Sequence, residues 1–136
     1  MNKYPVPGDE AERLERLKIY DLLNLGKDPD LDVFAEAACL IADCPASLIA
    51  MMELETQTIQ SCVGMSLDFV ARKDTVCQYT IMNREVLVIN DTLLDDRSSS
   101  NPLIIQGGIR FYAGVPLIDD MGFILGTICV IDYQPK

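Results

Sequence analysis

Apolar residues are densest between residues 109 and 132, where they form two runs on either side of a short polar junction. Val, Ile, Phe and Tyr are frequent in both runs, and the junction, Asp119-Asp120-Met121-Gly122, ends in glycine. This pattern predicts two long antiparallel strands joined by a tight turn. The second run is apolar on both strand faces, so we expect it at the centre of a covered sheet. Strict alternation assigns one face of that run to Phe123, Leu125, Thr127, Cys129 and Ile131.

Two helices are predicted between residues 9 and 44. The first opens at Asp9 and ends at Gly26, and its apolar positions are Leu14, Leu17, Tyr20, Leu22 and Leu23. The second ends near Asp43, before Pro45. Its helical spacing predicts an apolar stripe that faces the sheet, made of Phe34, Ala37, Ala38, Leu40 and Ile41.

A hairpin is predicted from residues 47–54 and 58–63, with Glu55-Thr56-Gln57 as its turn. The order of elements predicts an α+β fold: a central antiparallel sheet of five to six strands with helices on both faces. We expect a single domain over residues 1–136, with the sheet and its inserted helices in residues 47–132.

Less regular segments separate this hairpin from the central one. Residues 64–73 predict a loop, after which Asp74 or Thr75 caps a short helix that runs to Met82. A short strand is predicted at residues 86–89. The polar stretch that follows ends in a brief helical turn capped by Ser100 or Asn101.

Composition narrows the range of partners. The chain has 136 residues, 49% of them hydrophobic, and a formal net charge of -10. Phosphate backbones and anionic membrane surfaces would repel such a chain, so we expect neither nucleic acid nor membrane as a partner. No apolar run approaches the ~20 residues of a membrane span. The five cysteines are odd in number and scattered, which indicates reduced thiols and a cytoplasmic protein.

The sequence contains no histidine. The commonest general base, metal ligand and haem ligand is therefore missing. Zinc held by cysteine alone requires closely spaced cysteine pairs, which the sequence also lacks. We expect no metal site, and haem is disfavoured.

The order and spacing of four stretches resemble a GAF domain of the type found N-terminal in bacterial sensor histidine kinases and diguanylate cyclases. These stretches are PVPGDEAERLERLKIYDLL, LDVFAEAACLIADCPASLIAMME, INDTLLDDRSSSNPLI and GIRFYAGVPLIDDMGFILGTICVID. The resemblance implies a pocket on one face of the sheet, enclosed here by residues 64–82 and 90–108. It also implies a non-catalytic sensor that binds a small molecule, forms a homodimer and signals to an output kinase or cyclase domain in cis or in trans. From the resemblance we expect the usual C-terminal signalling helix of the family to be lacking.

Departures from the family pattern bear on the ligand. The family often has histidine where this chain has Tyr79, so a bilin held through a Cys-His pair is disfavoured. The asparagine-lysine-phenylalanine-aspartate-glutamate signature of cyclic-nucleotide GAF domains is absent, which disfavours cyclic nucleotides. The identity of the ligand, and of any cofactor, stays unknown.

The candidate ligand-binding residues are Cys77, Tyr79, Asp91, Arg110, Tyr112, Thr127 and Cys129. Cys77 is either a pocket thiol, its pKa lowered by a helix N-terminus, or a small core residue. The polar cluster at residues 90–97 is either a recognition loop or a set of contacts that ties the loop together. Arg110 and Tyr112 share a strand face, and alternation leaves open whether that face lines the pocket.

Two alternative functions remain at this point. One is a dimerisation and relay module with no ligand. The other is a free methionine-(R)-sulfoxide reductase, an enzyme class that shares the implied fold and uses cysteines on the pocket loops. Only Cys77 lies on a predicted pocket segment, so we expect the chain not to be an enzyme.

Overall fold

The computed structural model describes residues 4–20 and 26–136, which form four α-helices and six strands. The helices are α1 (Glu10–Tyr20), α2 (Asp32–Ala42), α3 (Cys77–Thr80) and α4 (Pro102–Gly107). The strands are β1 (Ala46–Met52), β2 (Thr56–Val63), β3 (Phe69–Ala71), β4 (Leu87–Ile89), β5 (Phe111–Ile118) and β6 (Ile124–Asp132). Leu22 and Leu23, which were predicted on the first helix, lie outside the described residues.

All six strands form one sheet in the order β3-β2-β1-β6-β5-β4, and each neighbouring pair is antiparallel. The predicted α+β fold, with the hairpin β5–β6 at the centre of its sheet, is confirmed. The carboxylate of Asp119 holds the turn of that hairpin, because it accepts backbone N–H bonds from Met121 (3.0 Å) and Phe123 (2.9 Å).

One strand was not predicted from the sequence. β3 lies inside residues 64–73, which were predicted to be a loop, and it pairs with the start of β2 at the sheet edge. A strand of three residues is too short to show an alternation of apolar and polar positions. β3 matters for the site because it places the segment that follows it in the chain over the sheet.

α1 and α2 cover one face of the sheet, the helix face. Leu17 of α1 is fully buried there in a cluster with Met51 and Leu125. α2 turns small residues towards the sheet: Ala35 is fully buried, and Ala38 and Ala42 pack on the cluster of Phe111 and Val130.

The apolar stripe predicted for α2 therefore points the wrong way. Phe34, Leu40 and Ile41 are 60%, 83% and 86% exposed. Of the predicted stripe, Ala38 does pack towards the sheet. Close approach of a helix to a sheet leaves room for alanine but not for the larger side chains, which turn outward.

A β-bulge decides which side chains of β6 reach the other face of the sheet. Leu117 pairs with Gly126 and Ile118 with Ile124, so Leu125 is an extra residue in the ladder. Leu125 consequently packs on the helix face, whereas Cys129 and Ile131 lie in the core of the opposite face. The prediction that Leu125 shares their face is wrong, because one inserted residue reverses the alternation.

Two buried arginines anchor α1. The side chains of Arg13 and Arg72 are 0% exposed, and both lie 2.6 Å from the Glu10 carboxylate. Arg13 also donates to the carbonyl of Met52 at 2.6 Å, and Arg72 donates to the carbonyl of Glu53 at 3.0 Å. One carboxylate thus joins α1 to the 3-10 turn Arg72–Asp74, which directly precedes α3.

Candidate functional site

A cavity of about 410 Å³ lies between the second face of the sheet and the segments 64–82 and 90–108, which together we call the roof. Its size falls within the range of about 300–1,000 Å³ that is usual for small-molecule pockets. The sheet side is lined by Leu48, Gln57, Tyr112, Cys129 and Ile131. The roof contributes Met65, Leu67, Val70, Asp74, Thr75, Val76, Cys77, Asn101, Leu103, Ile104, Gln106 and Gly107.

Short-range capping bonds give the roof its shape. The hydroxyl of Thr75 accepts the backbone N–H of Gln78 at 3.1 Å and so opens α3. The side-chain oxygen of Asn101 accepts the N–H of Leu103 at 2.8 Å and caps α4. The amide nitrogen of Asn101 donates to the carbonyl of Asp74 at 2.8 Å, which joins the two roof segments. Both capping positions, Thr75 and Asn101, were among those predicted.

Polar side chains gather where α3 meets the sheet, and we call this group the cavity floor: Gln57, Cys77, Tyr112, Thr127 and Cys129. The sulfur of Cys77 and the hydroxyl of Tyr112 are hydrogen-bonded at 3.1 Å. That hydroxyl is also bonded to the hydroxyl of Thr80 at 2.7 Å. All five floor residues are buried, so their interactions take place away from water.

The floor contains two side-chain polar atoms that lack a partner among the described residues. They are Nε2 of Gln57 and Oγ1 of Thr127, on side chains only 3% and 1% exposed; both lie beside the Cys77 sulfur, a weak acceptor, without a hydrogen bond of standard geometry. Buried polar groups are nearly always hydrogen-bonded in folded proteins. The floor therefore has spare hydrogen-bonding capacity beside the cavity.

The two floor thiols have different acidities. Hydrogen bonding to Cys129 lowers the pKa of Cys77 more than burial raises it, and Thr127, Tyr112 and Gln57 lower that pKa further. The pKa of Cys129 is raised well above the ordinary value, because its hydrogen bond to Cys77 and its burial both disfavour a second thiolate. Burial likewise raises the pKa of Tyr112. The pair therefore loses its first proton at Cys77.

The structure brings four of the predicted site residues together and leaves three apart. Cys77, Tyr112 and Cys129 line the cavity, and Thr127 lies beside Cys77 at the floor. Tyr79, Asp91 and Arg110 are not among the residues that line the cavity. The sequence left open which face of β5 lines the pocket. In the structure Tyr112 points into the cavity, while Phe111 packs on the helix face.

Arg110 and Asp91 pair with each other at 2.9 Å beside the second roof segment. Hydrogen bonding from Arg110 lowers the pKa of Asp91, and Asp91 also accepts the backbone N–H of Leu93 at 3.1 Å. Arg97 pairs with Asp95 at 2.7 Å. These contacts correspond to the second interpretation given above, in which the carboxylates tie the loop together.

Gln57 is a cavity residue that the sequence did not indicate. It was assigned to the turn of the first hairpin, but the turn is formed by residues 53–55 and Gln57 lies in β2, opposite Met52. The signal available was weak, because a polar residue next to Glu55-Thr56 resembles the end of a turn. The direction of the Gln57 side chain is set only by the pairing of β2 with β1.

Two general features of the described residues bear on function. No group of three or more Cys, Asp or Glu side chains is placed to hold a metal ion in that part of the chain. None of its helices has the length and apolar character needed to cross a bilayer.

The chain belongs to the GAF domain family, because the sequence model of that family matches residues 30–136. It is 34% identical over 134 residues to a cyclic di-GMP phosphodiesterase of Pseudomonas aeruginosa. That match covers 97% of this chain but only 23% of the relative.

Solved structures share the fold. The GAF domain of an Acinetobacter phosphoenolpyruvate-protein phosphotransferase has a TM-score of 0.62 at 13% identity, covering 93% of this chain and 78% of that one. A type II free methionine-R-sulfoxide reductase of Thermoplasma acidophilum has a TM-score of 0.62 at 12% identity, covering 78% and 74%. At these identities the likeness concerns the fold alone.

Proposed function

We propose that this chain is a sensory GAF domain that binds a small molecule in the cavity and relays its presence to an output domain. The observation that carries the proposal is the cavity itself, about 410 Å³ in volume, with unpartnered buried polar atoms at its floor. A ligand that forms hydrogen bonds with those atoms gains binding free energy in the cavity that a site on the surface does not offer. The proposed site is cytoplasmic and non-catalytic.

The relay runs from the roof to α1. The 3-10 turn that contains Arg72 lies between Val70 and Thr75, both of which line the cavity. Arg72 shares the carboxylate of Glu10 with Arg13, so a shift of the roof is transmitted to the start of α1. A ligand that binds one arrangement of the roof more tightly thereby biases the position of α1.

The output lies elsewhere in a longer protein or in a partner. The relative from Pseudomonas aeruginosa is named as a cyclic di-GMP phosphodiesterase, and this chain corresponds to 23% of its length. This supports an output enzyme that is controlled by α1, of the kinase, cyclase or phosphodiesterase kind.

A homodimer formed through α2 completes the proposal. Leu40 and Ile41 are 83% and 86% exposed, and Phe34 extends the same apolar surface. A second copy of this chain brings an identical surface, so a two-fold contact covers both at once. Analytical ultracentrifugation should show a dimer for the wild type and a monomer for Leu40→Glu. Leu94→Glu is the matched control, since Leu94 is 85% exposed but lies far from α2 in the sequence.

Native mass spectrometry of freshly purified protein tests the binding step. We expect an additional mass that is retained by the wild type and lost in Ile104→Trp, which fills the cavity beside a roof residue that is 4% exposed. An empty protein that binds nothing in a broad metabolite screen would instead support the relay module without a ligand.

The reductase is a second candidate because Cys129 lies beside Cys77 at the floor. The sequence had placed only Cys77 on a predicted pocket segment. A methionine sulfoxide turnover assay that compares the wild type with Cys77→Ser decides the matter. Equal and negligible rates support a non-catalytic domain, and turnover that is lost in Cys77→Ser supports an enzyme.

A further inference from the structure

The charges around the cavity restrict what it can hold. The described residues that line it include no lysine or arginine, and the one charged residue among them is Asp74. The two arginines of the roof are engaged elsewhere: Arg72 is fully buried against Glu10, and Arg97 pairs with Asp95. Lys73, also in the roof, is exposed and does not line the cavity, and Arg110 beside the roof pairs with Asp91. An anion that enters a cavity with no opposite charge loses its hydration without compensation.

The thiol at the floor adds to this bias. Cys77 lines the cavity, and it is the floor thiol that loses its proton first. A thiolate repels an anionic ligand further. The floor thiol and the acidic lining residue therefore both disfavour an anionic ligand.

The rest of the lining is mostly apolar. Most of the space is surrounded by apolar side chains: Leu48, Met65, Val76, Leu103, Ile104 and Ile131. An apolar ligand body would gain from burial against these side chains. The interior favours a hydrophobic body over a sugar or a phosphate ester.

Gln57 supplies a hydrogen-bond donor at one position of the cavity. Gln57 is 3% exposed and lines the cavity, and its amide nitrogen has no hydrogen-bond partner of standard geometry among the described residues, although it lies beside the sulfur of Cys77 and lowers the pKa of that thiol. An amide nitrogen carries two N–H donors, so one of them can face the weakly accepting sulfur while the other is left for a further acceptor. A carbonyl or ether oxygen on the ligand supplies one.

We propose that the cavity selects an uncharged, mainly apolar small molecule that presents a hydrogen-bond acceptor to Gln57. This inference rests on the proposed function, since it names the chemical class of ligand for the same site. It excludes organic anions such as nucleotides and dicarboxylates as ligands of this chain.

Two dyes with the same aromatic body test the charge preference. N-phenyl-1-naphthylamine is neutral, and 1-anilinonaphthalene-8-sulfonate adds one sulfonate. Fluorescence titration of the whole chain should give an affinity at least ten-fold higher for the neutral dye. Only the signal that is lost in Ile104→Trp and kept in Leu94→Trp counts as cavity binding, because Leu94 lies on an exposed loop.

The outcomes separate the two proposals. If both dyes bind in the cavity with equal affinity, or the sulfonate binds more tightly, the ligand class is wrong while the binding function stands. If neither dye binds in the cavity, both proposals lose their basis. A preference for the neutral dye supports both.

A second pair of probes tests the role of Gln57. We expect 1-acetylnaphthalene to displace the neutral dye at about one-tenth of the concentration that 1-ethylnaphthalene requires, because only the ketone offers an acceptor. Gln57→Leu should remove the difference between the two compounds. Equal displacement by the two compounds in the wild type, or a difference that persists in Gln57→Leu, overturns the assignment of Gln57. The wild-type comparison decides even if the variant does not fold.

Discussion

The sulfur of Cys77 lies 3.1 Å from the phenol oxygen of Tyr112, although the two residues are 35 positions apart in the sequence. Cys77 belongs to α3 in the roof, and Tyr112 belongs to β5 in the sheet. The bond therefore joins the two sides of the cavity at its floor. Measurements on Cys77 report directly on that floor.

The ionisation of Cys77 is the first expectation to test. Its pKa is lowered chiefly by hydrogen bonding to Cys129, so thiolate forms at a lower pH than in an ordinary thiol. The rate of alkylation by iodoacetamide should rise at a correspondingly lower pH. Cys129→Ala removes the main cause and should move the profile to higher pH. Mass spectrometry follows the reaction in a background where Cys39, Cys44 and Cys62 are replaced by serine.

An identical profile with and without Cys129 would show that this thiol does not control Cys77. Occupation of the cavity by N-phenyl-1-naphthylamine should slow the alkylation of Cys77, which lines the cavity. Cys39, which lies on α2, serves as the internal reference in the chain with its native cysteines.

The shared carboxylate of Glu10 is expected to dominate the stability of the α1 region. Glu10→Gln leaves Arg13 and Arg72 buried without their counter-charge, since both side chains are 0% exposed. Loss of one partner from a buried ion pair costs about 3–5 kcal/mol. Urea denaturation measures this as a fall in the free energy of unfolding. The matched control is Glu15→Gln on the same helix, whose partner Lys18 is 72% exposed, and it should change stability by less than about 0.5 kcal/mol.

A methyl group at Gly126 is expected to separate β1 from β6. An added Cβ would lie 2.0 Å from the carbonyl oxygen of Ala50 and 2.9 Å from Cα of Met51. Both are main-chain atoms in the middle of the sheet and have no room to move. Gly126→Ala should cost about 1–3 kcal/mol or more, seen as a lower thermal midpoint. Gly107→Ala is the control, because its Cβ meets only the side chain of Ile109 at 3.7 Å.

Acid should weaken the contact between Asp91 and Arg110. Hydrogen bonding from Arg110 holds the pKa of Asp91 below its ordinary value of about 3.9. A carboxylate whose pKa is lower in the folded state stabilises the fold above the unfolded pKa. That contribution disappears as pH falls through the folded value, below about pH 4. The thermal midpoint should therefore drop more between pH 6 and pH 3 in the wild type than in Asp91→Asn.

Asparagine at position 91 keeps the side-chain oxygen that accepts the N–H of Leu93, so the turn is preserved. Arg110→Met should reduce the acid dependence to the same extent, and the double variant should add nothing further. Equal acid dependence in the wild type and both single variants would show that the pair does not contribute.

Local patterns in the sequence determined much of the fold. The turn at Asp119 and the caps at Thr75 and Asn101 depend on a few neighbouring residues, so their chemistry could be recognised directly. The dense apolar runs of residues 109–132 were enough to place a central antiparallel hairpin. The candidate thiol Cys77 and the phenol Tyr112 were also predicted as pocket residues from their elements and from the family resemblance.

Only the tertiary structure decided which side chains face the cavity. The bulge at Leu125 reverses the alternation in β6, and the pairing of β2 with β1 turns Gln57 inward. Phe34, Leu40 and Ile41 face outward because the sheet accepts alanine at that distance. Each of these outcomes depends on contacts between distant segments, which a single sequence does not record. The sequence therefore specified the elements, and long-range packing specified the site.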